Sequence, residues 1–299
     1  MTQNATYRVD SGHAVWNSKA GPIPYIPYDY QFVLPYETAY WNSRAVHNFI
    51  LRHWFWSIPI ALGYVIGIHA LQAWMRNRKP FQLNRPLMWW NLTLSIFSFI
   101  GTMRTAEELV HVIKEHGIHD CLCYTYDPSG IASLWNFLFI ASKLFELVDT
   151  LFIVLRYFWL LGMEHKVSLS LLILSIDFSI SVIISASRVY TFMNFFVHGP
   201  MFLYFTVTSA GYRPPRKCAM MVTILQNVQM IFGILVALYI AKVRWFDGEF
   251  CHVTDQSLAL CFFVYFTFGI LFGRFFVNAY LKKKAPAKFD NNNEQKKID

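Results

Sequence analysis

Long apolar runs separated by short polar ones set the pattern of this chain. Runs of helix length fall at about residues 54–74, 87–103, 131–155, 168–187, 189–210, 218–241 and 257–281. Each is near the ~20 residues that one helical crossing of a bilayer requires. The pattern predicts an all-α polytopic membrane protein with seven transmembrane helices over 54–281. Residues 1–53 read as a polar N-terminal segment, and 282–299, rich in Asn, Gln and Lys, as a disordered basic tail. Only Ser187-Arg188 separates the fourth and fifth runs, so that pair is either a tight helical hairpin or one segment divided in two.

Composition supports the membrane reading. The chain is 55% hydrophobic and only 15% charged, against about 25% charged in ordinary soluble domains. The formal net charge of +8 does not mark a nucleic-acid binder, because the basic residues gather in short segments between apolar runs. Arg76, Arg78, Lys79 and Arg85 follow the first run, Arg156 and Lys166 the third, and Arg213, Arg216 and Lys217 the fifth. These segments and the lysine-rich tail alternate with poorer ones, which predicts a luminal N-terminus and a cytosolic C-terminus. The last residues, KKID, have the form of a dilysine retrieval address, which predicts the endoplasmic reticulum membrane. MTQNATYRVD is too polar for a cleaved signal peptide.

Five cysteines make no disulfide framework. Cys121 and Cys123 share one connection and Cys251 lies in another. If both connections face an oxidising lumen, one bridge can form, with either of the first two as partner. His111, His116, His119, Cys121 and Cys123 are dense enough for zinc, but their spacing fits no known module. A loop without a metal is the expectation.

The informative residues are the polar ones inside the runs. An ionisable side chain at membrane depth costs about 2.5–3.5 kcal/mol on insertion scales, so it faces a partner or a cavity. In the third run Lys143, Glu146 and Thr150 recur on one helical face with Asp149 beside it. The fifth run holds Asn194 and His198 four apart, with hydroxyls from Tyr190 and Tyr204. In the sixth, Thr223, Gln226 and Gln229 recur at threes. A single cluster of this kind is a satisfied ion pair with snorkelling side chains. Three helices with polar stripes predict a central polar chamber, open toward the cytosol.

These stripes resemble the motifs of the ELO family of very-long-chain fatty-acid elongases. Lys143-Leu-Phe-Glu146-Leu-Val-Asp149-Thr150 resembles the KxxExxDT signature. His198-Gly-Pro-Met201-Phe202-Leu-Tyr204-Phe205 resembles HxxMYxYY, and Thr223-Ile-Leu-Gln226-Asn-Val-Gln229 resembles TxxQxxQ. Asn84-Arg85-Pro86-Leu87, then Trp90-Asn91 and Phe97-Ser98, is similar to the family's N-terminal pattern. The likeness runs from about residue 80 to 285. The family's histidine box, HxxHH, is missing. Its place reads LLGMEHKVSLSLLIL, where His165 stands for the first histidine and Ser168 and Leu169 occupy the other two places. The pattern is lost from about Tyr157 to Ser187 and returns at Val189-Tyr190.

The resemblance implies condensation of a long-chain acyl-CoA with malonyl-CoA to 3-oxoacyl-CoA, CO2 and CoA, with no bound cofactor. It implies His198 and Asn194 as an acid/base or orienting pair, and Tyr204, Gln226 and Gln229 as substrate-facing donors. Lys143, Glu146 and Asp149 would organise the cytosolic mouth, and Arg213, Arg216 and Lys217 would meet CoA phosphates. His165 is the remnant of the nucleophile's box, so a weak or inactive enzyme is expected. Membrane lipid, other enzymes of the elongation cycle and a second copy of the chain are the expected partners. The rival readings are a non-catalytic elongase-like scaffold and, behind it, a seven-helix receptor.

Overall fold

The computed structural model describes residues 13–18, 21–39, 41–42, 45–46, 49, 52–156 and 186–281. Residues 168–185 of the fourth apolar run, and His165, lie outside them. All the other apolar runs fold as helices: α2 (Ser57–Met75), α3 (Asn84–Glu115), α5 (Ile131–Arg156), α6 (Ser187–Ser209), α7 (Arg216–Lys242) and α8 (Asp255–Phe276). Short helix α1 (Pro35–Ala39) precedes them and α4 (Gly117–Cys123) lies between α3 and α5, with a 3-10 turn at Trp54–Trp56 and π-helical turns at Val243–Asp247 and Val277–Leu281. By length and apolarity, Ile131–Asp149, Arg216–Asp247 and Asp255–Leu281 are candidate membrane spans. Their outer faces carry uncovered Ile224, Val228, Ile231, Leu235, Phe263 and Phe266, a surface that water would not tolerate and lipid would.

The all-α expectation needs correction at one end of the bundle. Strands β1 (Ala14–Ser18) and β2 (Gly21–Ile26) form an antiparallel hairpin, with Ala14 opposite Tyr25 and Ser18 opposite Gly21. β2 pairs in parallel with the two-residue β3 (Thr125–Tyr126). The segment is too short and too rich in proline for periodicity to reveal it. The expected loop at His111–Cys123 is also helical. α3 runs past its apolar stretch to Glu115, and α4 begins at Gly117, whose φ of 85° breaks the helix where a side chain would be strained.

Cys123 is bonded to Cys251 and Cys121 is free, which settles the choice between them. The Cys123 carbonyl also accepts from the His252 amide at 3.0 Å. The hairpin, α4 and the connection before α8 thus form one cap. α7 reaches it through a π-helical turn at Val243–Asp247 closed by Gly248, φ 68°, and α8 starts with the Thr254 side chain accepting from the Ser257 amide. The main core runs from this cap down the bundle, through Ile26, Val112, Leu122, Val189, Ile240 and Leu258.

α3 and α6 form the most extensive helix pair. Small residues let them approach: a Cβ on Gly101 would lie 2.7 Å from the Phe195 ring, and one on Gly199 would lie 3.1 Å from the Phe99 ring. Close packing of this kind drives helix association in lipid, where hydrophobicity does not. Ser95 Oγ also donates to the Gly199 carbonyl at 3.0 Å, beside Pro200 within α6.

Two buried ion pairs lock the cap to the bundle. Arg104 donates to Glu37 at 2.9 and 2.7 Å, and the Trp135 indole adds a bond to the same carboxylate at 2.8 Å. Arg188 Nε lies 3.0 Å from both oxygens of Glu108, while its Nη1 donates to the Cys121 and Tyr124 carbonyls at 3.1 and 3.2 Å. Arg188 is therefore a structural residue, not a linker charge.

Candidate functional site

α5 and α6 both leave the cap and run in the same direction. At 1.5 Å per residue, Glu146 lies about 22 Å along α5 from Ile131, and His198 about 17 Å along α6 from Ser187. The two side chains therefore sit at comparable distances from the cap ends of their helices. Thr191 Oγ1 donates to Asn136 Oδ1 at 2.6 Å nearer the cap, fixing the register of α5 against α6.

Lys143 Nζ donates to both oxygens of Glu146, at 3.0 and 3.2 Å. Glu146 Oε2 lies 3.9 Å from His198 Nδ1 on α6. The same Nδ1 is buried and, among the described residues, has no hydrogen-bond partner. The Phe139 ring lies under Lys143 Nζ at 4.8 Å, and Phe202 closes one side of the imidazole with ring centroids 5.5 Å apart. Gln226 approaches α6 from α7, its amide 3.1 Å from the Met201 sulfur. Residues from the third, fifth and sixth apolar runs thus meet around α6.

The chain matches the ELO: GNS1/SUR4 family over residues 49–288. It is 35% identical over 271 residues to putative fatty acid elongase 4 of Caenorhabditis elegans, covering 89% of this chain and 91% of that one. To very long chain fatty acid elongase 6 of Drosophila melanogaster it is 33% identical, covering 85% and 80%. To very long chain fatty acid elongase 3 of Homo sapiens it is also 33% identical, covering 82% and 90%. The protein belongs to the ELO family.

Within this ELO chain the remaining motif residues fall into two groups. Asp149 turns away from Glu146 and accepts from the Trp90 indole on α3 at 2.6 Å. Two carboxylates on one helix turn repel, so each takes a different cationic or donor partner. Gln229 and Thr223 are buried on α7, with Thr223 bonded to the Ala219 carbonyl at 3.0 Å. Tyr204 is half-buried on α6. Asn194, expected to pair with His198, instead donates to the Tyr190 carbonyl of its own helix at 3.3 Å. The Tyr190 hydroxyl lies toward α7 and α8, donating to the Gly233 carbonyl and accepting from the Cys261 thiol.

Arg213 and Lys217 are exposed beyond the end of α6. Arg216 is engaged: it donates to the Ala279 carbonyl at 2.7 Å and lies over the Tyr280 ring. The periodicity of polar residues in the apolar runs missed Trp90, Ser142 and Met201. Trp90 lies within the Asn84–Asn91 pattern, and a tryptophan donor in an apolar run signals an acceptor across the interface. Met201 lies in the box that resembles HxxMYxYY, while Ser142, whose Oγ is 3.5 Å from Glu146 Oε1, carries no such signal.

Proposed function

We propose that this ELO chain binds a long-chain acyl-CoA and malonyl-CoA and serves the condensing step of fatty-acid elongation, at low turnover. The carrying observation is the meeting of Lys143, Glu146 and His198 across α5 and α6 at membrane depth, with the family's other motifs alongside. In this reaction the malonyl carboxylate leaves as CO2. The resulting enolate carbon bonds to the acyl carbonyl carbon, the thioester C–S bond breaks, and CoA leaves as a thiolate that takes a proton.

The roles in this reading are as follows. Glu146 holds the Lys143 ammonium and faces the His198 imidazole, so the pair supplies a fixed charge field and a proton acceptor beside the reacting centre. Tyr204, Gln226 and Gln229 are donors for the substrate's polar atoms, with Gln226 exchanging its weak thioether contact for a better acceptor. Arg213 and Lys217 meet the CoA phosphates, while Arg216 orders the adjacent helix ends. Asn194 keeps its amide on the backbone and acts on α6 rather than on substrate.

We further read the chain as a seven-span protein of the endoplasmic reticulum membrane, with the cap luminal. The Cys123–Cys251 bond supports that orientation, because such bonds persist in oxidising compartments.

The histidine box decides the rate. Within HKVSL only His165 remains, and a lone imidazole lacks the neighbours that would activate it. Ser168→His with Leu169→His restores HxxHH and is the direct test. Both chains are expressed in an elongase-deficient cell and the acyl chains profiled. The native chain should give little two-carbon-longer product, and the restored chain clearly more. Glu146→Gln in the restored chain should remove the gain. If the restored protein is monodisperse in detergent and still makes no product, the condensing reading fails and a non-catalytic scaffold takes its place. The missing box is the observation that favours that second reading.

A further inference from the structure

The cap gathers three metal-capable side chains that the elongation reading does not use. His13 lies just before β1, His116 at the corner between α3 and α4, and Asp120 in the first turn of α4. Their ligand atoms all lie within 4.8 Å of one another. His13 Nε2 is 3.1 Å and His116 Nδ1 4.0 Å from the same Asp120 oxygen, Oδ2. Asp120 Oδ1 is 3.0 Å from His119 Nδ1. We propose that His13, His116 and Asp120 form a luminal binding site for one divalent transition-metal ion, zinc by ligand chemistry.

The geometry is close to what such an ion needs. Bonds of roughly 2.0–2.2 Å to imidazole nitrogen and carboxylate oxygen place neighbouring tetrahedral ligands about 3.4 Å apart. The His13–Asp120 edge is already there. His116 Nδ1 stands outside hydrogen-bond range of Asp120 Oδ2, at 4.0 Å, and reaches the ligand spacing of about 3.4 Å by a shift of roughly 0.6 Å. Hydrogen bonding to Asp120 accounts for His13 and His119 but not for the convergence of a third imidazole on this carboxylate.

The surroundings are those of a supported site. His119 orients the non-ligating carboxylate oxygen, as outer-shell partners of metal ligands do, and its Nε2 lies 3.4 Å from Glu249 Oε2. The Tyr124 ring packs on His13 with centroids 4.2 Å apart. The three side chains are 11%, 21% and 20% exposed, enough for an ion to enter and for water to take the fourth position. Two imidazoles with one carboxylate suit zinc and its transition-metal neighbours rather than calcium or magnesium. Bound there, the ion ties the N-terminal hairpin to the helix corner secured by Cys123–Cys251. It lies at the opposite end of the bundle from the exposed Arg213 and Lys217, so it acts on cap order and not on the condensation.

The test uses the full chain without a polyhistidine tag, carrying Cys218→Ser to remove the exposed thiol, purified in detergent and stripped with chelator. Zinc chloride alone is titrated calorimetrically. The expected result is one saturable site per chain and a rise in the thermal midpoint. His116→Gln and Asp120→Asn should each weaken binding by at least roughly tenfold, since loss of an outer-shell partner alone costs about 10–100-fold. His69→Gln, on α2, should change nothing. Variants are judged only if the Cys123–Cys251 bond is intact. Independently of any variant, X-ray absorption at the zinc edge should show imidazole and oxygen ligands and no sulfur. Absence of a one-per-chain site, unchanged affinity in both variants, or a sulfur shell overturns the proposal.

Discussion

Arg188 and Glu108 offer the sharpest test of how this fold is held. Both are almost fully buried, at 3% and 2% exposure. The guanidinium bridges the carboxylate through Nε, and Nη1 caps the Cys121 and Tyr124 carbonyls. Nη2 lies 2.8 Å from Oε1 but off the hydrogen-bond axis, so it adds charge contact rather than a directed bond. Glu108→Gln keeps the volume and strands a buried cation, which costs about 3–5 kcal/mol. At about 1.4 kcal/mol per tenfold, the folded-to-unfolded ratio falls roughly 10²- to 10³-fold or more. Arg188→Met strands the carboxylate and additionally the two carbonyls, at about 1–3 kcal/mol each, so it should be the worse of the two.

The double variant Glu108→Gln with Arg188→Met removes both charges and leaves only neutral groups unpaired. It should therefore cost less than the sum of the singles, by about 2–3 kcal/mol of coupling. Unfolding is followed by tryptophan fluorescence as denaturing detergent is titrated into micelles. Additive singles, or a Glu108→Gln cost below about 1 kcal/mol, would refute the claim that this pair bears on the α3–α6 seam.

Three further outcomes are expected. Cys123→Ser should destabilise the cap by about 2–4 kcal/mol, and maleimide labelling of the denatured chain should gain two reactive thiols only after reduction. Trp90→Phe trims the indole to a smaller ring and removes the donor to Asp149, leaving that acceptor unpaired at about 1–3 kcal/mol; a cost under about 0.5 kcal/mol in the same denaturation would place Asp149 elsewhere. Burial alone would raise the Glu37 pKa, but the Trp135 indole, the Leu34 amide and Arg104 together hold it below the ordinary 4.5. Its contribution is therefore complete above about pH 4.5 and is lost as pH falls below that value through the folded pKa; Glu37→Gln should be less stable at neutral pH and lose that part of the acid sensitivity.

Sequence pattern revealed the helices and left the cap dark, for physical reasons. A span of about 20 apolar residues has few alternatives, so α2 and α5 through α8 were legible almost to their ends. α3 was legible only in part, because Thr105 to Glu115 is as polar as a loop. Its helix persists there because Glu108 and Arg104 find buried partners distant in sequence. The hairpin was invisible, since five- and six-residue strands rich in Pro and Gly carry little period-two signal. At the site, the stripes named Glu146 and His198, whose side chains approach to 3.9 Å between α5 and α6. They could not say that Asn194 would bond to its own backbone, or that Asp149 would be held by Trp90, because both depend on rotation about a helix axis by a fraction of a turn.

A contrast among the buried polar groups separates scaffold from site. Glu37 takes Arg104, Trp135 and a backbone amide, and Glu108 takes Arg188. Both acids are satisfied, and stability alone accounts for them. His198 is different. Its Nδ1 is buried, lies 3.9 Å from Glu146, and is without a hydrogen-bond partner among the described residues. An unsatisfied buried donor or acceptor costs about 1–3 kcal/mol. A buried polar group in that state calls for a further partner, and under the proposed function a bound substrate is that partner. The criterion is measurable in the same denaturation, because His198→Phe should leave stability unchanged or raise it, whereas Glu108→Gln lowers it. A substantial loss on His198→Phe would make that histidine part of the scaffold and would remove the strongest support for a substrate chamber between α5 and α6.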